Sequence, residues 1–256
     1  MGLRLRVRDL ARAGRRTSPG TAPAVRLLAA LHDRVYLAVW LSVMLAACGR
    51  LPPPPSPSGP YAPESAEEFG AIAARTVPPS AQLIRIRWRY DDGGQEVSGR
   101  GAVRLAPPDS LRLDISVPVV GRATLVLAGD STWSQPGEVV QEVPQSRTIL
   151  WALFGVIRRP ERGTRIEVGD AVDLRLYRLT APDGSVTLLE CRGDTLLGAT
   201  ELMGGKMVAR LVLTRDRAGA VVKADAADYS HSVRFVAEVE HREASGPFPS
   251  EIWRRP

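Results

Sequence analysis

The sequence predicts a mainly β (α+β) protein built on one large meandering antiparallel sheet with a few covering helices. Three observations predict it. Apolar and polar residues alternate with period two in five separated segments. Clusters of Gly, Pro and Asp stand between those segments. Only two stretches carry helical spacing and caps. One wet and one apolar side per strand marks an antiparallel sheet, since strands of a parallel sheet read as near-continuous apolar runs. The 256 residues are enough for a sizeable core, and no repeat is visible beyond the strand rhythm.

The chain opens on a leader, residues 1–47. Eight arginines and two acids precede an uncharged apolar run, Val35 to Ala47. Those thirteen residues are short of the about 20 a membrane-crossing helix needs. The run therefore reads as the core of a secretory signal, ahead of a permanent anchor with an incidental cysteine. Its end, Leu45-Ala46-Ala47-Cys48-Gly49, resembles the lipobox of bacterial lipoproteins. That resemblance implies cleavage before Cys48 and lipidation of that residue, with diacylglycerol in thioether linkage to its sulfur and an acyl chain such as palmitate on the same residue. No other cofactor is expected. Gly49 is not the aspartate that retains lipoproteins at the inner membrane in some bacteria, so the expected place is the outer membrane, facing the periplasm.

The leader also explains the charge. The chain is formally +6, and the excess of arginine before Cys48 accounts for all of it. The remaining body is neutral, which argues against a nucleic-acid partner. With Cys48 lipidated, Cys191 has no intrachain disulfide partner and reads as a small buried hydrophobe.

Residues 48–63 contain Leu51-Pro52-Pro53-Pro54-Pro55-Ser56-Pro57-Ser58-Gly59-Pro60, a polyproline-type spacer between membrane and domain. The folded domain is expected over 64–256. It starts with a capping box, Ser65-Ala66-Glu67-Glu68, and a helix carrying Phe69, Ile72 and Ala73 that runs to about Arg75, before Pro78 and Pro79. Alternating strands are expected at Ile84–Tyr90, Leu111–Val117, Val172–Leu176, Met207–Leu213 and Val233–Val239. Asp91-Asp92-Gly93-Gly94, Pro182-Asp183-Gly184 and Asp216–Gly219 supply hairpin chemistry. The apolar stretch Ser146 to Phe154, stopped by Gly155, reads as a second helix buried against the sheet.

Catalytic and metal-binding patterns are absent from the mature sequence. His231 and His241 stand in no metal-ligand spacing, and no metal site is assigned. Asp228, Ser230 and His231 lie close together, yet a triad is assembled from distant segments around an oriented nucleophile, so a polar turn is the expected reading. No catalytic residue is named and an enzyme is not expected. The apolar face, with Ile84, Ile86, Trp88, Leu111, Leu113, Ile115, Leu125 and Leu127, is the candidate lining of a ligand cavity or, equally, an ordinary filled core.

The segments Gly99–Leu105, Asp109–Ile115, Val117-Pro118-Val119-Val120-Gly121, Ala123–Asp130 and Leu150–Gly155, in that order, resemble the lipoprotein-localisation factor superfamily of LolA and LolB. The resemblance runs from about residue 65 to 240 and implies an unclosed half-barrel with helices as a lid and a cavity for acyl chains. It implies a membrane-insertion loop at Pro118, Val119, Val120 and Gly121, where the family carries a Pro-Leu-Gly core; here valine replaces leucine and one residue is added. The function it implies is a membrane-anchored, monomeric carrier for acyl chains of lipoproteins or lipids. The alternative is an envelope lipoprotein that docks a protein partner with its interior filled.

Overall fold

A computed structural model describes residues 51–117, 121–129, 131–135 and 146–254. The leader, Cys48 and the loop residues Pro118, Val119 and Val120 lie outside the described residues. Thirteen strands form one antiparallel sheet. In chain order they are β1 (Ala62–Pro63), β2 (Gln82–Asp91), β3 (Glu96–Ala106), β4 (Ser110–Val117), β5 (Gly121–Ala128) and β6 (Ser131–Gln135). There follow β7 (Arg165–Ala171), β8 (Leu174–Thr180), β9 (Val186–Arg192), β10 (Thr195–Met203), β11 (Lys206–Arg215), β12 (Val221–Asp228) and β13 (Val233–Ala244). Their spatial order is β1-β7-β8-β9-β10-β11-β12-β13-β2-β3-β4-β5-β6, so the sheet is unclosed, with β1 and β6 at its edges. This is the mainly β, half-barrel architecture expected.

Two helices accompany the sheet among the described residues: α1 (Ala66–Thr76) and α2 (Arg147–Ala152). α1 begins as its capping box dictates. The Ser65 side chain accepts from the Glu68 amide at 3.1 Å and donates to the Glu68 carboxylate at 2.8 Å. Its buried side is Phe69, Ile72 and Ala73, and Phe69 meets Tyr177 of β8 edge to face at 5.4 Å. α2 is capped by Ser146 and ends in a turn closed by Gly155 at φ +81, where a Cβ would come within 2.8 Å of the Arg215 guanidinium.

The pairings sort side chains onto two faces. Ile84 stands opposite Val103, Val103 opposite Leu113, and Leu113 opposite Leu125, giving one apolar row across β2 to β5. The same inner face continues through Phe235, Ala226, Leu211, Ala199, Leu189 and Tyr177. Beside this row, opposite Trp88 and Ile86, stand Gly99 and Gly101 of β3, where a Cβ would run into the carbonyls of Ser116 and Asp114, and the Trp88 ring lies over Gly99.

One expected strand is displaced. Val172 and Asp173 form the hairpin turn between β7 and β8, and β8 starts at Leu174. Asp173 takes φ +59, which an aspartate tolerates better than most residues, and Val172 is 85 % exposed. The alternation Val-Asp-Leu-Arg-Leu is the same in a strand and in a turn leading into one, so the pattern alone could not separate them.

The proline-rich segment expected as a spacer makes contacts with the outer face of the sheet. The Ser58 amide donates to the Asp170 carbonyl at 2.7 Å and the Glu64 amide to Ile166 at 3.0 Å. Pro57 and Tyr61 lie against Gly169, each within 3.2 Å of where a Cβ would stand. The Arg178 guanidinium sits 4.3 Å from the Tyr61 ring centre. Arg210 donates through Nε to the Pro52 carbonyl at 3.1 Å.

Candidate functional site

The eight candidate lining residues do share one face, and that face is packed. Ile84, Ile86, Trp88, Leu111, Leu113, Ile115, Leu125 and Leu127 are between 0 % and 5 % exposed. They belong to a single buried cluster with Ile149, Leu150, Trp151, Leu153 and Phe154 of α2 and its following turn, and with Val156 and Ile157 beyond it. Trp88 stacks on Phe235 at 6.5 Å and 14° and donates its indole N–H to the Arg100 carbonyl at 3.2 Å. α2 thus acts as a plug. Its register comes from a serine cap and a glycine stop, both local signals, and the four apolar residues of its six, Ile149 to Ala152, are all buried.

The hollows along the described residues include the following. A polar cavity of about 310 Å³ lies beside the start of α2 and is lined in part by Arg147, Arg158, Arg159, Asp183 and Glu201. A groove of about 610 Å³ runs between α1 and residues 159–164. The third, of about 250 Å³, is bordered by Arg87, Trp88, Arg89, Glu96 and Glu238. Of the eight candidate residues, Trp88 alone borders any of these three.

The plug is tied down by polar contacts at its rim. Ser146 Oγ accepts from the Ile149 amide at 3.2 Å and donates to Glu201 of β10. Arg147 and Arg158 both donate to the Gly129 carbonyl. Burial, with the nearby Asp228 adding to it, pushes the Glu201 carboxyl above its ordinary range despite the Ser146 bond. A carboxyl that titrates higher when folded keeps its proton longer in the folded state. Its penalty is absent below the unfolded value near 4.5 and fully present above the folded one. Glu201→Gln is therefore expected to raise the melting temperature at about pH 7 and to match the wild type at about pH 4. A melting series across that range checks it, and a variant less stable at neutral pH would show the carboxylate to be favourable.

Other candidates resolve as structural. Cys191 is fully buried, and burial pushes its thiol up to about 12. Asp91 and Asp92 accept from the amides of Gly93, Gly94 and Gln95 at 2.7 to 2.9 Å, and Gly93 takes φ +80: the tip of the β2–β3 hairpin. In the Asp228 cluster, Ser230 Oγ and the Asp228 carboxylate both meet His231 at Nδ1, at 3.0 and 2.9 Å. A base relay needs the two ring nitrogens to serve different partners, so this cluster is a polar turn. Burial would raise the Asp228 carboxyl, but hydrogen bonds from Ser230 and His231 outweigh it and hold it below the usual range.

The expected insertion loop bridges β4 and β5, whose last pair is Val117 with Gly121. Gly121 is exposed and takes φ +95.

The buried ionic site on the outer face was not foreseen. Arg210, with its side chain 3 % exposed, pairs with Glu190, 8 % exposed, and donates to Thr200 at 3.1 Å. Period two placed Arg210 on the wet side of its strand. The overlying segment at Pro52, 158 residues away in sequence, accepts from its Nε at 3.1 Å.

Among solved structures the chain is similar to a LolA superfamily protein from Nitrosomonas europaea, at 14% identity and TM-score 0.52 over 75% of this chain and 98% of that one. It is similar also to a DUF1329 family protein from Desulfovibrio piger, at 11% identity and TM-score 0.51 over 74% of this chain and 97% of that one. No protein-family model and no curated protein matches the chain. These likenesses give the fold, the LolA-type half-barrel that the sequence resemblance implied.

Proposed function

We propose that this protein is a lipid-anchored, periplasm-facing binding scaffold of the lipoprotein-sorting type, which engages an envelope protein partner on its surface while its interior stays closed. The observation that carries the reading is the packing of the inner face: the residues that would line an acyl cavity are held against α2 and the turn after it. The lipid anchor is the diacylglycerol and acyl chain expected on Cys48, and the fold supports a binding role without chemistry.

Magnitudes separate this from carriage of acyl chains. Emptying the interior would expose seven large apolar side chains from Ile149 to Ile157, at about 1.5–3 kcal/mol each, or roughly 10–20 kcal/mol. That matches or exceeds the about 5–15 kcal/mol by which a whole domain is stable. A sixteen-carbon chain gains about 12 kcal/mol on leaving water, but a chain drawn from a membrane or another carrier is already dry and brings little of that gain. Surface docking has no such cost.

The carrier reading is supported by the LolA-type fold and requires α2 to leave the sheet. Mass spectrometry of lipids co-purifying with the soluble chain, together with titration of a fluorescent acyl probe, decides between the two. We expect no stoichiometric lipid and no saturable probe binding. Recovery of lipid close to one per chain would restore the carrier.

A further inference from the structure

We propose that the outer face of β2, β3 and β13 docks on anionic headgroups of the membrane that anchors the chain, held in that orientation by residues 52–61. This rests on lipidation at Cys48 and deepens the proposed function by naming the face the domain turns to its bilayer.

Where the chain leaves the domain carries the argument. Pro52 is bonded to Arg210, Ser58 to Asp170, and Tyr61 is stacked under Arg178. A polyproline stretch is stiff by itself, and one fastened at three points is a strap. Cys48 precedes Pro52 by four residues, which span at most about 14 Å when extended. Arg210 stands on the outer face in a row with Ala227 of β12, Arg234 of β13 and Asp91 of β2. At about 4.8 Å per strand, β2 lies roughly 15 Å from the strap's last fastening. A lipid on Cys48 thereby keeps this face close to the headgroups.

What the face presents fits that neighbour. The strap covers part of the outer face from β7 to β11. A C-terminal turn, Ser250–Trp253, covers β4 to β6 through Arg112 to Ile252 at 2.7 Å and Trp133 to Trp253 at 3.1 Å. Between the covers Arg85, Arg87, Arg89 and Arg100 are exposed, with the exposed acids Glu96, Glu238 and Glu240 beside them, an excess of one positive charge among these seven. Arg87 and Arg100 share one acid, Glu240, at 3.0 and 3.4 Å, and Arg89 is 3.9 Å from Glu96. Ion pairs at such exposure are weak, so these guanidinium groups remain open to phosphate, which they bind in a two-pronged geometry. The hollow of about 250 Å³ on this surface is bordered by Arg87, Arg89 and Ser98 and also by Glu96 and Glu238.

The test uses the mature lipidated protein in phosphatidylcholine vesicles with and without phosphatidylglycerol. A fluorophore is placed on Ser98→Cys, on the outer face, or on Ala71→Cys, on the exposed side of α1; Cys191 is too buried to take the label. A headgroup-borne quencher is expected to act several-fold more strongly at position 98 than at 71 in the anionic vesicles. That difference should fall by roughly half or more in high salt and in the Arg85→Gln, Arg87→Gln, Arg100→Gln variant. Equal quenching at both positions, in protein whose acyl chains are confirmed by mass spectrometry, overturns the orientation and leaves the lipoprotein reading intact. A preference unchanged by salt and by the variant overturns headgroup docking. Absence of acyl chains overturns both readings together.

Discussion

Replacing Trp151 by alanine is expected to destabilise the protein by about 3–5 kcal/mol and to give its interior an apolar hollow. Trp151 is 2 % exposed in the last turn of α2, in the cluster that contains the sheet's inner face. Its ring sits 5.8 Å from the Arg158 guanidinium, and its indole nitrogen has no hydrogen-bond partner among the described residues. The indole is therefore present for its volume, and removal of its unpartnered buried N–H offsets part of the cost of truncation. Trp151→Phe keeps most of that volume without burying a donor, and should cost less than about 1.5 kcal/mol. Urea unfolding gives both numbers. An apolar cavity of that size stays dry and takes small apolar solutes, so the alanine variant should bind an apolar probe that the wild type does not. A variant as stable as the wild type, with no probe binding, would show that α2 does not fill the interior.

Breaking the buried pair on the outer face should cost as much. Arg210→Met leaves the Glu190 carboxylate among buried neighbours with no cation, an expected loss of about 3–5 kcal/mol. Removing both partners, in Arg210→Met with Glu190→Leu, should recover most of it, because two apolar side chains need no partner. The double variant still lacks the bond to the Pro52 carbonyl. Its Ser58 amide, which donates to Asp170 in the native strap, should then exchange with solvent faster than in the wild type even where global stability is restored. Hydrogen exchange at Ser58 beside urea unfolding separates the two effects. Equal Ser58 protection in all three proteins would show that the strap holds without Arg210.

The parts legible in sequence were those written by neighbours along the chain. Ser65 and Glu68 predicted the start of α1 because a cap is made within four residues. Asp91–Gly94 predicted a hairpin tip because side-chain oxygens there reach amides two or three residues on. The candidate lining residues fell on one face because pleating sends alternate residues the same way. Less visible were β10 and β12. Gly198 and Ala199 in one, and Ala224, Ala226 and Ala227 in the other, carry little strand propensity and are small at positions packed by larger residues elsewhere.

The sequence by itself determined the alternation, the turns, the caps and hence a large antiparallel sheet with one apolar face, while the pairing of β13 with β2 and of β1 with β7, which sets the strand order and the open edges, is long-range. Tertiary structure alone decided whether that face stays hollow and whether the proline segment hangs free. Trp151 meets the sheet, and Pro52 meets Arg210, 158 residues apart. An apolar residue carries the same preference for a dry place whether a ligand or its own chain supplies it, so only the assembled packing distinguishes a cavity from a core.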